Sequence, residues 1–270
     1  MFNIRGEKAR ALYLWRMILL MIALEKKFSR SIGNIILRQY ITSARLVEDG
    51  VQNFDAAVEQ EKTLLIERFS SKYRMIATTM YDEVKRELDE NKAIMPHQTK
   101  ELFDEFWEEL NWWIKTNAVS KVTQINTTTK NVIKGILKKG LDERLTNTEI
   151  AKLIRRTGRI SKKARALTIA RTETHTAMNE SIYVAVEKTR IRMEKEWLSA
   201  KDARVRISHV FADGERVPMD KMFMETGEPM KYPGWPGGSA WNVVNCRCMV
   251  LYHVVRKAIK VYVSSNAMPA

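Results

Sequence analysis

The sequence predicts an α+β protein: a long, mainly α-helical N-terminal region followed by a compact C-terminal domain of helix plus small antiparallel β-sheet. Three observations carry this. Apolar residues recur at helical spacing from Ala11 to about Arg190. After Arg190 the spacing shifts toward two. Gly and Pro then gather into turn-forming clusters. A length of 270 residues admits one large domain or two modest ones. With 45% hydrophobic and 29% charged residues the chain is ordinary for a folded protein, which argues against global disorder.

The first element spans Ala11 to about Tyr40. Leu12, Trp15, Leu19 and Ile22 fall at i, i+3, i+7 and i+10, while Tyr13, Leu14, Met17, Leu20 and Met21 fill the other faces. A helix apolar nearly all round is buried between neighbours or covered by a partner. Gly33-Asn34 is its expected weak point. The apolar run from Ala11 to Leu24 is broken by Arg16 and is too short to span a bilayer. Glu25-Lys26-Lys27 stands where a leader peptide would carry small residues for cleavage.

Residues 43–114 read as long helices with breaks at Asp49-Gly50 and from Asn91 to Pro96-His97. Phe103, Phe106, Trp107, Trp112 and Trp113 form an aromatic stripe expected to lie in the core. A loose boundary follows: a helical region over 1–114, a basic linker or helix over 115–145, a C-terminal domain over 146–260 and a tail over 261–270. Thr146 with Glu149 makes a capping box opening a short helix that Gly158 ends, and Ser161 opens the next, to about Arg190. On that helix Ala164, Leu167, Met178, Ile182 and Ala185 form an apolar stripe that also carries Arg171 and His175. Thr172, Thr176, Asn179 and Tyr183 make a polar strip beside it. Two strands are expected next. Val205, Ile207 and His209 alternate with polar residues, and Trp241–Val255 places Val244, Cys246, Cys248, Val250, Tyr252 and Val254 on one face.

Charge is uneven along the chain. The net is +14, distributed as +7 over 1–47, −8 over 48–114, +12 over 115–192 and +3 over 193–270. The acidic block reads as a solvated helix face. Within the basic block, Lys134, Lys138, Lys139, Arg155, Arg156, Arg159, Lys162 and Lys163 make a candidate surface for double-stranded DNA, without sequence-specific motif.

Two cysteines make no disulfide framework and fit a reducing compartment. His209, Cys246 and Cys248 are candidate zinc ligands if their strands lie close, with His175 as the fourth and His253 on the wrong face. The opposing reading is that the cysteines are small core residues and the histidine a hydrogen-bonded one. For catalysis, His209 as base, Glu173 as acid and Arg171, Arg204 and Arg206 on a phosphate would suit a nuclease-like phosphodiester-cleaving enzyme. No catalytic signature, phosphate loop or metalloprotease helix accompanies them, so the expectation is no enzyme and no cofactor beyond that zinc.

Taken in order, Arg171-Thr172-Glu173 with Asn179, Trp197, the run Asp202, Arg204, Arg206 and His209, Asp213-Gly214, Tyr232-Pro233-Gly234 and Asn245-Cys246-Arg247-Cys248 resemble the C-terminal domain of the Mu F-like head-morphogenesis family, the minor head proteins of tailed phages. The resemblance covers roughly residues 140–255 and leaves the N-terminal helices unaddressed. It implies a structural minor head protein in the virion, inside the capsid near the portal, and in the host cytoplasm during assembly. The implied partners are the portal protein, the major capsid or scaffolding protein, and packaged DNA contacted non-specifically, with no membrane. Its implied work is head assembly, DNA packaging or DNA ejection. A free non-specific DNA-binding protein is the remaining alternative.

Overall fold

A computed structural model describes residues 1–51, 53–90 and 100–255. Four helices dominate it: α1 (Glu7–Glu48), α3 (Lys62–Glu90), α4 (Lys100–Asp142) and α5 (Asn147–Lys188), with α2 (Asp55–Glu59) as a single turn between α1 and α3. A small unit follows, built from β1 (Met193–Leu198), α6 (Ile207–Phe211), β2 (Arg216–Pro218), α7 (Ala240–Val243) and β3 (Met249–Val254). The predicted α+β architecture is therefore the one observed. No helix among the described residues is long and apolar enough to cross a membrane.

Helix α5 is the axis of the molecule. It lies antiparallel along α1 and also packs on α3 and α4. It opens on the expected capping box, with the Thr146 hydroxyl accepting from the Glu149 amide and the Glu149 carboxylate accepting from the Thr146 amide at 2.8 Å. Gly158 does not end it, and no new helix begins at Ser161. A Cβ at Gly158 would lie 2.5 Å from the Cβ of Tyr40 on α1, so this glycine permits a close helix crossing. Gly33 does the same from the other side. Its missing Cβ would meet the Lys162 carbonyl oxygen at 2.7 Å and Ala166 Cβ at 3.2 Å, and α1 runs straight through the expected weak point. Helix propensity is a weak prior that such packing overrides.

Other breaks divide. Asp49-Gly50 ends α1, Gly50 taking a left-handed φ of 78°. The break from Asn91 to Pro96-His97 lies outside the described residues, as do Gln52 and residues 256–270. Helix α4 passes unbroken through residues 114 and 115. Its aromatic stripe is split rather than wholly core. Phe106 is buried, Trp107 and Trp113 pack at the core's edge, and Phe103 and Trp112 are exposed.

The sheet has the order β2-β1-β3 and is antiparallel throughout. Trp197 of β1 stands opposite Val250 of β3, and Lys195 opposite Val217 of β2. On the other edge of β3, Phe2 bridges Tyr252, and the Asn3 amide donates to the Tyr252 carbonyl at 2.8 Å. The sheet is tied to α1 through Glu196. Its carboxylate meets Arg10 of α1, Arg216 of β2 at 3.0 Å and His253 of β3 at 2.8 Å. Burial alone would raise that carboxyl, but Arg10 and Arg216 hold it below its ordinary range. One contiguous core runs from α1 to β3.

Candidate functional site

The resemblance residues gather where the C-terminal part of α5 meets the small unit. From Thr172 to Val186 this helix is buried on every side. The expected division into an apolar stripe and a polar strip does not hold. Ala164 and Leu167 of the stripe are exposed, while Thr172, Thr176, Asn179 and Tyr183 are buried. The reason is physical. α1, α3, α4 and the small unit surround the helix, so its polar groups must all find internal partners.

Arg171, Thr172 and Glu173 each take a different one. Arg171 pairs with Glu25 of α1 at 3.3 Å. The Thr172 hydroxyl accepts the Asn245 amide at 3.1 Å, anchoring the segment that carries the cysteines. Glu173 accepts the Tyr73 hydroxyl of α3 at 2.6 Å and faces Lys121 of α4 at 3.5 Å. One turn of helix thus ties three other helices and a loop together. Further along, the Thr176 hydroxyl donates to the Gly234 carbonyl at 2.9 Å. Gly234 has a φ of 78°, and a Cβ there would sit 2.5 Å from His175 Nδ1, so the Tyr-Pro-Gly element needs glycine twice over. Tyr232 packs its ring on Tyr183 at 5.5 Å, and Pro233 is buried beside it.

His175 is not a fourth metal ligand. Its Nε2 donates to the Cys248 carbonyl oxygen at 2.7 Å, with the Asn179 amide alongside at 2.9 Å. Burial pushes its pKa down to about 4. His253 is taken up by Glu196 at 2.8 Å.

The strand expected around Val205–His209 is absent. The Asp202 carboxylate accepts the Arg204 amide at 2.9 Å and turns the chain, and Ile207–Phe211 then forms the short helix α6. Ile207 points out at 75% exposure while His209 points in at 1%, so the two do not share a face. The expected strand Trp241–Val255 is real only from Met249. Residues 240–243 are the helical turn α7, and the cysteines lie in the irregular stretch between it and β3, after a turn at Val244-Asn245.

Even so, His209, Cys246 and Cys248 converge. Their ligand atoms lie within 4.8 Å of one another, and all three residues are buried. His209 Nδ1 is 3.6 Å from Cys246 Sγ and 3.4 Å from Cys248 Sγ. Trp197 packs edge-on to the imidazole at 5.1 Å and to Phe223 at 5.3 Å. Arg247, between the cysteines, reaches the other way to Asp202 at 2.8 Å. Gly214, at a φ of 91°, donates its amide to the Trp197 carbonyl and completes the turn after α6. Sequence reasoning missed Asn242 and Glu228, which stand behind His209. Neither belongs to a periodic pattern or a motif, so no sequence signal pointed to them.

The groups of the phosphodiester-cleaving alternative do not assemble around His209. Arg171 and Glu173 are engaged as above, and Arg204 is exposed beside Asp202. Arg206 donates to the Val244 carbonyl and lies over the Trp241 ring. Of the candidate DNA residues, Lys134 lies 3.7 Å from Asp55, Lys139 lies 3.7 Å from Glu143, and Arg155 pairs with Glu48. Lys138 lies close to the end of α4, whereas Arg156, Arg159, Lys162 and Lys163 are spread along the first part of α5, with Lys162 beside Gly33 in the middle of α1.

Fold and site together define a long helical bundle closed by a small antiparallel unit, in which many of the motif residues are buried ties while Asp202, Arg204, Gly214 and Asn245 stay exposed. Residues 126–251, a little under half of the chain, match the family model described as Phage Mu protein F like protein, so the C-terminal domain is similar to that family. No curated protein and no solved structure matches the chain.

Proposed function

We propose that this protein is a phage head-morphogenesis component, a minor head protein that acts at the portal during assembly, packaging or ejection of DNA. The family match over residues 126–251 is the observation that carries the reading. Two surfaces support the finer roles. On α1, Leu12, Trp15, Leu19 and Ile22 are 64%, 61%, 45% and 48% exposed, an apolar stripe that suits docking on the portal or a neighbouring head protein. The cations along the first part of α5 suit non-specific contact with packaged DNA.

The test is quantitative mass spectrometry of purified particles, with copies scaled to the portal protein. A low, reproducible stoichiometry in heads is expected. Absence from both procapsids and mature particles would overturn the reading. Docking is tested by Trp15→Glu with Leu19→Glu. Both side chains face solvent, so the melting temperature should hold while incorporation into heads falls. Deleting residues 1–40 would not serve, because Met17, Met21, Phe28, Ile32 and Ile36 belong to the core.

A further inference from the structure

We infer that His209, Cys246 and Cys248 form a zinc site that staples the small C-terminal unit together. The inference rests on local geometry and is independent of the head-assembly reading.

The first argument is distance. Zinc sits roughly 2.3 Å from a thiolate sulphur and 2.0–2.1 Å from an imidazole nitrogen, so a tetrahedral angle gives a sulphur–nitrogen edge of about 3.6 Å. The two observed edges from His209 Nδ1 are 3.6 Å and 3.4 Å. Both edges match that spacing, and the two sulphurs lie within 4.8 Å of each other. They also approach a single nitrogen lone pair, which can accept from only one thiol at a time.

The second argument is the tautomer. Glu228 accepts the Asn242 Nδ2 amide at 2.6 Å, and also the Ser239 amide and hydroxyl at 2.9 Å and 2.8 Å. A carboxylate takes only donors, so it turns the Asn242 amide nitrogen toward itself and Oδ1 toward His209. That oxygen lies 3.1 Å from His209 Nε2. The imidazole proton therefore belongs on Nε2, and Nδ1 presents its bare lone pair to the sulphurs. An outer carboxylate and amide that orient a metal-binding imidazole in this way are the usual support of such sites.

The third argument is charge and context. Binding releases the two thiol protons to solvent, and two thiolates with one neutral imidazole balance a divalent ion. No net charge is then left in a buried place. Two thiolates favour a soft ion, and tetrahedral sulphur and nitrogen donors favour zinc. No fourth His, Cys, Asp or Glu joins the cluster among the described residues, which leaves one vertex to a water molecule. The unit gains from such a bond. Between Leu198 and Met249 its regular structure is one three-residue strand and two short helices, little to hold a loop-rich segment in place.

The test uses the full chain, expressed with zinc and purified without chelator. Elemental analysis should find about one zinc per chain. Replacement by cobalt should give visible bands of tetrahedral cobalt together with a near-ultraviolet sulphur-to-cobalt charge-transfer band. The chain has two cysteines, so that band can arise only from Cys246 and Cys248. Asn242→Ala keeps every ligand and should weaken zinc binding roughly 10- to 100-fold. Cys246→Ser and Cys248→Ser should each abolish the charge-transfer band or reduce it sharply. Wild-type protein that is folded by circular dichroism yet yields neither zinc nor the cobalt charge-transfer band would overturn the site. So would stoichiometric zinc that survives the double cysteine variant.

Discussion

At the scale of the residue, the buried stretch of α5 stakes stability on groups that are costly to bury. Glu180 is 6% exposed, and burial pushes its carboxyl up to about 7 from a reference of 4.5, with the nearby Lys231 pulling the other way. The folded state therefore holds this proton more tightly than the unfolded chain does. The associated stabilisation is complete below pH 4.5 and is lost as pH rises through 7. Glu180→Gln keeps the neutral shape at every pH. Against wild type it should gain roughly 2–3 kcal/mol at pH 8 and nothing at about pH 4, as read by urea unfolding at each pH. Equal urea midpoints at the higher pH would show that Glu180 carries no such penalty. Little of this was visible in the sequence. Arg171, Thr172 and Glu173 stood out as a motif, but their partners Glu25, Asn245, Tyr73 and Lys121 are remote in sequence, and local pattern says nothing about pairings at that range. His175, read as a metal ligand from its place on a stripe, proved to be held by a backbone carbonyl. Convergence of His209 with the two cysteines was foreseen on the wrong backbone, because an inward-facing residue of a short helix mimics one of a strand.

At the scale of the element, the α1–α5 pair depends on two notches. Alanine in place of a helical glycine ordinarily stabilises by about 0.5–1 kcal/mol. Gly158→Ala and Gly33→Ala should reverse that sign and destabilise by about 1–3 kcal/mol, because the new methyl meets Tyr40 Cβ or the Lys162 backbone. Gly135 on α4 is the internal control. Nothing lies within 4 Å of a Cβ there, so Gly135→Ala should stabilise. Thermal or urea unfolding of the three variants gives the comparison, and a common sign would remove the notch explanation. Sequence alone reads Gly33 as a weak point and Gly158 as a stop, since the helix opposite, which decides their role, leaves no local signal. Features fixed by local chemistry were legible: the Thr146 capping box, the break at Asp49-Gly50 and the alternation from Met249 to Val254, although the first helix runs on past Tyr40, where its pattern was read to end. Helix α6 was not. Three alternating pairs cannot tell a strand from a turn and a half of helix. Nor was β2, whose three residues are too few to show a period.

At the scale of the whole molecule, the proposed DNA-contacting cations run from the close of α4 along the first part of α5. Changing Lys138, Arg156, Arg159 and Lys162 to Gln should weaken binding to any duplex alike. The slope of log affinity against log salt should become shallower by about 0.9 for each phosphate no longer neutralised. A filter-binding titration over a range of salt measures it, and an unchanged slope would place the DNA surface elsewhere. The order of helix-rich and sheet-rich parts was legible because the hydrophobic period changes once, near Arg190. That both parts share one core was not, since sequence periodicity carries no record of which faces meet. Helix α5 joins the two ends of this layout without interruption. Its 42 residues at about 1.5 Å each give a shaft of roughly 63 Å. Wedged along its length by α1, α3 and α4, it works as a strut. A helix so packed resists bending, so the small C-terminal unit at one end and the Thr146 cap at the other keep a fixed separation.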